Sequence, residues 1–259
     1  MLKSFMVVLF IFLNSTTLFS IDFNNNIGYE NIHKQGSFFD SFEDEFNESE
    51  QKVSDPFSGY NRLMTGFNDK FYIYLAIPAA KGYKNVVPEE ARTGISNFFH
   101  NLLFPVRFVN NVLQFKFQNS MDELSRFIIN STFGLLGFMD PAKHHFGIEP
   151  KNEDLGQTLG HWGIGSGPHI VLPFLGPSNL RDMFGLVGDS YITPISNNAQ
   201  EDIRIPNSGE ETIALRAYSA LNEISHNPEL YESIKKDSID LYTFLRDTYE
   251  QRRQKLIEE

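Results

Sequence analysis

The chain has 259 residues, and its 33 acidic residues against 22 lysines and arginines give a formal net charge of −11 at pH 7. An acidic chain whose basic residues cluster only at Arg252 and Arg253 is not expected to bind nucleic acid. Because the sequence contains no cysteine, we expect no disulfide, no thiolate metal site and no lipid anchor attached through cysteine.

The first residues have the form of an export signal. Lys3 supplies a positive charge, and the unbroken apolar run from Phe5 to Leu13 has the length of a signal-peptide core. That run is too short to span a bilayer, which needs about 20 apolar residues. We therefore predict a signal peptide over residues 1–20, cleaved near Ser20, with an uncleaved anchor as the alternative.

Residues 21–54 are predicted to be an acidic, mobile segment, because eight acidic residues stand there against two lysines. Four phenylalanines within it recur at helical spacing among carboxylates. A helix docked on the main domain, a contact with a membrane or partner, and disorder all remain open for this part. The four residues are Phe38, Phe39, Phe42 and Phe46.

From residue 55 onward, helix signals recur and strand alternation is scarce, which predicts one all-α domain over residues 55–259. Asp55 and Pro56 are expected to open the first helix, which should end before Pro78. Six of its side chains fall on one apolar stripe. They are Phe57, Tyr60, Met64, Phe67, Phe71 and Tyr74.

Prolines predict the next helix starts. Pro88, followed by two glutamates that suit a helix N-terminus, should open a second helix, and Pro105 a short third one. Residues 117–133 are predicted to form a fourth helix. The pair Phe98-Phe99 lies in the second helix, where neighbouring rings point about 100° apart. A helix apolar over so wide an arc is deeply buried or touches lipid.

The later elements are predicted from capping residues. Ser178 is expected to cap a helix from Asn179, and Ser208 with Glu211 to form a capping box for a helix through Ser225. A charged helical region should follow residues 227–228. The glycine-rich centre at residues 156–176 is expected to hold irregular loops or a short hairpin around residues 169–175.

Known catalytic patterns fail when their spacing is checked. Ser166 lies among glycines, but Ile164 and Pro168 occupy positions where a nucleophile elbow has glycine. Pro168 also interrupts the dinucleotide-binding spacing of the neighbouring glycines. His161 and His169 are interpreted as loop or core residues. Three charged residues, Asp154, Arg181 and Asp182, are interpreted as structural ion pairs or helix caps.

The aromatic residues are mostly phenylalanine, with 25 Phe, 10 Tyr and 1 Trp. Most of the aromatic surface therefore carries no polar group, and these rings require apolar surroundings. A protein core and contact with lipid both satisfy that requirement.

The stretch from Leu155 to Asp182 reads LGQTLGHWGIGSGPHIVLPFLGPSNLRD and combines glycines, prolines, one tryptophan and an apolar run with almost no charge. It resembles the signature of the MlaA (VacJ) family of outer-membrane lipid-asymmetry proteins, in which GQTLG-x-WG-x-GxGP leads into VLP-x-LGPS-x-LRD. Segments such as DPFSGYNR from Asp55 and FLRDTYEQRR from Phe244 resemble the family's opening and closing motifs. The resemblance covers roughly residues 55–253.

The resemblance implies a ring of helices within the inner leaflet of the outer membrane, around a central amphipathic channel for phospholipid. Such proteins remove phospholipids misplaced in the outer leaflet and pass them to a periplasmic lipid carrier, often while bound to a trimeric porin. No bond is broken, so neither an enzyme activity nor a cofactor is expected. Members are usually lipoproteins, and this sequence departs from them in lacking the acylated cysteine.

The channel is expected to be lined by the glycine-rich segment after residue 159, where small residues leave space. Three phenylalanines are the expected lipid-facing groups. A soluble periplasmic binding or assembly protein, and a lipid hydrolase acting through Ser166, are the alternatives. The predicted site residues are Gly160, Gly163, Gly165, Gly167, Phe98, Phe99 and Phe174.

Overall fold

The computed structural model of the protein describes residues 53–259, and most of them are helical, which confirms the all-α prediction. The predicted signal peptide and the phenylalanines of the acidic segment lie outside the described residues. The elements that precede the glycine-rich centre are α1 (Ser58–Phe71), a π-helical turn (Tyr72–Ala76), α2 (Ile77–Val86), α3 (Glu89–Leu102), α4 (Phe104–Leu113), α5 (Phe117–Phe133) and α6 (Pro141–Phe146). The elements that follow are α7 (Leu155–His161), β1 (His169–Leu172), β2 (Gly176–Asn179), α8 (Leu180–Asp189), α9 (Gly209–His226), α10 (Leu230–Asp237) and α11 (Leu241–Glu258).

The two strands form the short hairpin that was expected in the glycine-rich centre. They pair antiparallel, with His169 opposite Asn179 and Leu172 opposite Gly176. Phe174 stands in the connecting turn with a φ of 67°, a left-handed conformation that is uncommon for a bulky side chain.

Helix starts that depend on local sequence agree with prediction. Helix α3 follows Pro88, α4 carries a proline in its first turn, and α5 has the predicted bounds. Ser208 caps α9 by accepting a hydrogen bond from the Glu211 nitrogen at 3.2 Å. The Glu211 carboxylate, however, accepts from the Asn207 nitrogen at 2.7 Å instead of closing the box on Ser208.

The prediction that the first helix ends before Pro78 is wrong. Helix α1 continues through the π-helical turn into α2, which has Pro78 as its second residue. At the end of the π-helical turn, the Ile77 nitrogen donates to the Tyr72 carbonyl five residues earlier. A proline clashes with the carbonyl four residues before it, and the wider turn lets the helix pass through this position.

Two predicted caps are also wrong. The Asp55 side chain makes tertiary hydrogen bonds instead of capping a helix, and Ser178 lies in a strand. Helix α1 begins at Ser58, and Asp55 instead accepts hydrogen bonds from Tyr242 Oη at 2.5 Å and Asn61 Nδ2 at 2.9 Å. Ser178 belongs to β2, and Asn179 caps α8 by accepting from the Asp182 nitrogen at 2.9 Å.

Glycines bring α7 and α8 into close contact. A Cβ placed on Gly185 of α8 would lie 2.4 Å from the Gly156 nitrogen of α7, and one on Gly188 would lie 2.2 Å from a Leu155 methyl carbon. Since backbone meets backbone at Gly185, even a methyl group there requires the helices to separate.

We expect Gly185→Ala to lower the free energy of unfolding by about 1–3 kcal/mol, the usual cost of overpacking. Thermal unfolding of the detergent-purified protein measures this effect. The matched control is Gly82→Ala in α2, where nothing lies within 4 Å of the added carbon. That control should stabilise the helix by about 1 kcal/mol, so equal unfolding midpoints for the two variants would contradict the close-contact interpretation.

Candidate functional site

Burial in this protein is inverted relative to an ordinary water-soluble domain. Among residues 53–259, 32 polar or charged residues are buried against 12 apolar ones, and 27 large apolar side chains are exposed. Charged side chains are rarely buried without a partner, and large exposed apolar surfaces mark contact with a membrane or another protein. The candidate functional site is therefore the whole of this apolar surface, together with the polar interior that supports it.

Helix α1 illustrates the inversion. Its buried residues are Asn61, Thr65 and Asn68, whereas Phe57 and Phe67 on the predicted apolar stripe are 49% and 41% exposed. The Asn61 side chain donates to the His169 carbonyl at 3.1 Å and accepts from the Val171 nitrogen at 2.8 Å. The polar face of α1 thus binds the hairpin, and its apolar face points outward.

The connection between α5 and α6 exposes five large apolar side chains, and we call it the apolar loop (residues 133–139). Leu135 and Leu136 have φ values of 52° and 60°, so two consecutive leucines adopt the left-handed conformation. Both leucines are exposed. The left-handed backbone is unfavourable for leucine, and exposure of leucine to water is unfavourable as well. Such backbone strain is typical of functional segments.

Arg253 of α11 lies at the centre of the polar interior. Its guanidinium binds Asp154 through two bonds of 2.7 and 2.8 Å and Asp182 at 2.8 Å, and all three residues are buried. Asp154 precedes α7 and caps it by accepting from the Gln157 nitrogen at 2.8 Å. Asp182 lies in the first turn of α8. One cation thus ties three helices together, and we call this group the Arg253 cluster.

Other side chains complete the Arg253 cluster. Arg181 Nε lies 3.0 Å from Asp182, and Tyr249 Oη donates to Asp182 at 2.7 Å. Burial opposes ionisation of Asp182, but the charges of Arg253 and Arg181 outweigh it and lower the pKa of this carboxyl. These contacts confirm that the three charged residues singled out in the sequence act as structural ion pairs and caps.

The glycine of the GQT motif is required by the same cluster. A Cβ on Gly156 would lie 2.5 Å from an Asp182 oxygen and 2.7 Å from Arg253 Nη2. The hairpin packs against α11 near the Arg253 cluster. His169 Nδ1 lies 2.8 Å from Glu250 Oε1, and Asn179 donates to the same carboxylate at 3.2 Å. His169 is fully buried, which confirms its interpretation as a core residue.

Asp189, at the end of α8, is a buried carboxyl that forms no ion pair with another residue of the range 53–259. It accepts hydrogen bonds from the Leu155 nitrogen and from Asn110 Nδ2, both at 2.9 Å. Burial raises the pKa of Asp189 to about 7, and the nearby negative charge of Asp154 adds to the rise.

An apolar cavity of about 330 Å³ lies between the first helix, α9 and α10. The π-helical turn and the hairpin contribute one part of the lining, and α9 contributes two alanines, a leucine, an isoleucine and a glutamate. These lining residues are Tyr72, Leu75, Ala76, Phe174, Leu175, Ala217, Ala220, Leu221, Glu223 and Ile224. The Phe174 ring meets Phe67 and Phe71 edge-on, each at 5.0 Å between centroids.

The predicted site residues lie in different places. Gly160 packs against α11, where an added Cβ would lie 2.5 Å from Ile257 Cδ1, whereas Gly163 and Gly165 are exposed with open space around them. Gly167 follows them in the same loop, with a φ of 68°. The loop at residues 163–167 is thus separate from the packed position of Gly160.

The predicted phenylalanines are also separated. Phe174 lines the apolar cavity, whereas Phe98 and Phe99 pack in a small core cluster with Leu103 and Ile195. Lipid contact at these positions stays a prediction. Sequence reasoning missed the α9 face of the cavity, although Ala217 and Ala220 are small residues at the three-residue spacing of one helix face.

The chemistry of hydrolysis or metal binding finds little support in the side-chain arrangement. Ser166 Oγ approaches the Gly167 carbonyl at 3.5 Å, and within residues 53–259 it makes no hydrogen bond to a histidine. No three side chains suited to a metal ion meet in this part of the chain. Each helix within it is also too short or too polar to cross a bilayer.

The comparisons with known proteins point in one direction. A family model described as MlaA lipoprotein matches residues 53–256. An uncharacterized protein of Rickettsia bellii is 31% identical over 206 residues, which cover 79% of this chain and 77% of that protein. The intermembrane phospholipid transport system lipoprotein MlaA of Escherichia coli is 38% identical over 150 residues, which cover 57% of this chain and 60% of that protein.

A solved structure described as "Structural basis for maintenance of bacterial outer membrane lipid asymmetry" is also similar to this chain. It matches with a TM-score of 0.67 and 28% sequence identity, over 79% of this chain and 99% of the matched one.

Removing the central cation should destabilise the fold strongly. We expect Arg253→Met to lower the free energy of unfolding by about 3–5 kcal/mol, because it leaves Asp154 buried without its cationic partner. Chemical denaturation measures the loss. The control is Lys81→Met, which breaks an exposed pair with Glu232 at 3.5 Å and should cost at most about 1 kcal/mol. Similar losses in both variants would argue against a special role for the cluster.

The raised pKa of Asp189 predicts a pH dependence of stability. An aspartate in the unfolded chain has its ordinary pKa of 3.8, whereas the folded protein holds the proton up to about pH 7. Between these values the folded state binds more protons than the unfolded state, so the contribution of Asp189 to the free energy of unfolding falls as the pH rises from about 4 to 7. Asp189→Asn should reduce this fall, as measured by denaturation at each pH. An unchanged pH profile would contradict the assignment.

Proposed function

The chain belongs to the MlaA family, and from this premise we propose that it is a phospholipid transport component of the outer membrane. It would remove phospholipids mislocalised in the outer leaflet and pass them to a periplasmic carrier. This transport would maintain the lipid asymmetry of the outer membrane. This is the direction of transport that the family resemblance implies.

The inverted burial is the observation that carries this proposal. Apolar side chains outside and paired polar groups inside suit a protein that lies within a membrane leaflet, since unsatisfied polar groups are costly in hydrocarbon. No described helix is fit to cross a bilayer. With its apolar surface outward and the ring of helices that the resemblance implies, the protein would lie in one leaflet, on the periplasmic side, with the apolar loop among the acyl chains.

The same arrangement fits transport without chemistry on the substrate. A phospholipid moving between leaflets keeps all its covalent bonds, so its route requires an apolar region for the tails and polar groups for the head group. We propose that the chain is not an enzyme, and that the head group passes along the exposed glycine-rich loop at residues 163–167, which belongs to the channel lining predicted from the sequence. A trimeric porin and a periplasmic lipid carrier are the proposed protein partners.

The apolar loop supplies a direct test of membrane insertion. We expect the double variant Leu135→Asp/Leu136→Asp to lose membrane association, because each charged side chain in the hydrocarbon costs about 2.5–3.5 kcal/mol. Aspartate tolerates the left-handed backbone better than leucine, so the fold should persist. Expressed in a host from which the gene is deleted, the variant should fail to restore normal outer-leaflet phospholipid and detergent resistance, whereas the parent chain restores both.

The control double variant, Gln200→Asp/Asn207→Asp, adds the same charge at exposed polar positions and should behave like the parent. Membrane fractionation before and after a high-salt wash gives the location of each protein. If deletion leaves outer-leaflet phospholipid unchanged in a host that expresses the protein, the transport role fails. If the parent protein fractionates with the soluble periplasm, a binding or assembly protein becomes the better description.

A further inference from the structure

We propose that the apolar cavity is a binding site for one unbranched acyl chain, with α10 as its roof. This inference rests on the proposed transport function and adds to it the place where a lipid tail is held. The cavity volume of about 330 Å³ lies at the lower end of the range for sites that bind small molecules.

The chemistry of the cavity wall selects hydrocarbon. Apart from tyrosine hydroxyls, the polar side chains of its lining are Glu223 and Asn227, and lysine and arginine do not occur among the described lining residues. Glu223 accepts a hydrogen bond from Ser96 Oγ at 2.5 Å, so its carboxyl group already has a partner. A wall of this kind does not hold a phosphate group, and the transfer of each methylene from water into it is favourable by about 0.8 kcal/mol.

The cavity opens toward apolar surface. Leu75 is 60% exposed, and Ala79 and Ala217 are exposed beside it, so these three residues form the mouth. Ala76 and Ile77 are buried and form the floor. The neighbouring Tyr74 extends the apolar surface outside the mouth with 78% exposure. A chain can therefore pass from a hydrocarbon environment into the cavity while its head group stays outside.

Two irregular backbone segments place side chains in the wall of the cavity. The π-helical turn brings residues 72, 75 and 76 into the lining, and such turns occur often at functional sites. Phe174 keeps its left-handed conformation because its nitrogen donates to Asn68 Oδ1 at 2.7 Å and its ring packs against α1. These contacts within the protein hold Phe174 in the wall of the cavity.

Helix α10 is suited to act as a movable roof. Leu230, Tyr231 and Ile234 line the cavity, yet α10 contains no buried residue. Its polar contacts lie at the edge, where Asp69 accepts from Tyr231 Oη at 3.2 Å and from Lys235 Nζ at 2.8 Å, and Glu232 pairs with Lys81 at 3.5 Å. Inside, the Tyr231 ring stacks on Tyr72 at 5.0 Å between centroids. Few buried contacts would be broken if α10 moved aside to admit a chain.

The test measures chain binding by the full-length protein in detergent. The probes are a fluorescent fatty acid whose emission rises in apolar surroundings and a phospholipid that carries the same labelled chain. Ala220→Phe places a ring in the cavity and should weaken binding of the probe at least about tenfold, since excluding two methylene groups from the site is enough for that change. Ala214→Phe, at an exposed position of the same helix outside the lining, is the matched control and should bind like the parent.

Equal affinities for the two phenylalanine variants would overturn the assignment. Binding of both probes by the parent supports a site for the shared chain, whereas binding of neither overturns it. If Ala220→Phe fails to fold, a photoactivatable fatty acid on the parent decides the question. Label on lining residues of α9 or α10 supports the site, and label confined to other segments overturns it.

Failure of this site and failure of the transport function are distinguishable. A parent protein that binds the chain but does not restore lipid asymmetry in the deletion host supports the site and overturns the transport function. An Ala220→Phe protein that loses chain binding yet restores asymmetry leaves transport intact and overturns the role of the cavity in it.

Discussion

The pairing of Arg253 with Asp154 and Asp182 is the interaction on which the rest of the structure depends. A buried cation is tolerated only when carboxylates or other hydrogen-bond acceptors lie at bonding distance, and removal of a carboxylate partner leaves an uncompensated charge. Here the partners stand at the starts of α7 and α8, so the ion pairs fix the places where both helices begin. Gly156 follows from the same constraint, because a side chain there would occupy the space of the charged atoms.

A polar interior whose side chains bind mainly to one another and to the backbone frees the outer surface to be apolar. Asn61 and Asn68 bind the hairpin through their side-chain amides, which leaves Phe57, Tyr60 and Phe67 of the aromatic stripe exposed. In water such a surface would favour aggregation, whereas in a lipid leaflet it meets matching surroundings. The fold and the proposed transport function are therefore two consequences of one distribution of side chains. The apolar cavity is the exception among these surfaces, because its apolar side chains face an internal space.

Local signals were read correctly where a residue acts on its own helix. Pro88, Pro105 and Ser208 mark helix starts because their effects on backbone dihedrals and first-turn hydrogen bonds are short in range. Prediction failed at Asp55 and Pro78 for opposite reasons. The Asp55 side chain does not cap a helix, because it accepts a hydrogen bond from Tyr242, which is distant in sequence. The helix at Pro78 continued because a π-helical turn accommodated the proline.

The sequence by itself determined the helical class, most helix starts, the family and the structural role of the charged residues in the long motif, because these rest on local patterns and ordered motifs. It did not reveal that Arg253 would meet Asp154, or that Ala217, Leu75 and Phe174 would enclose one cavity. Those contacts join segments distant along the chain, and only tertiary packing brings them together. The direction in which each amphipathic face points was likewise decided by the fold, since a stripe of apolar residues reads the same whether it faces a core or a membrane.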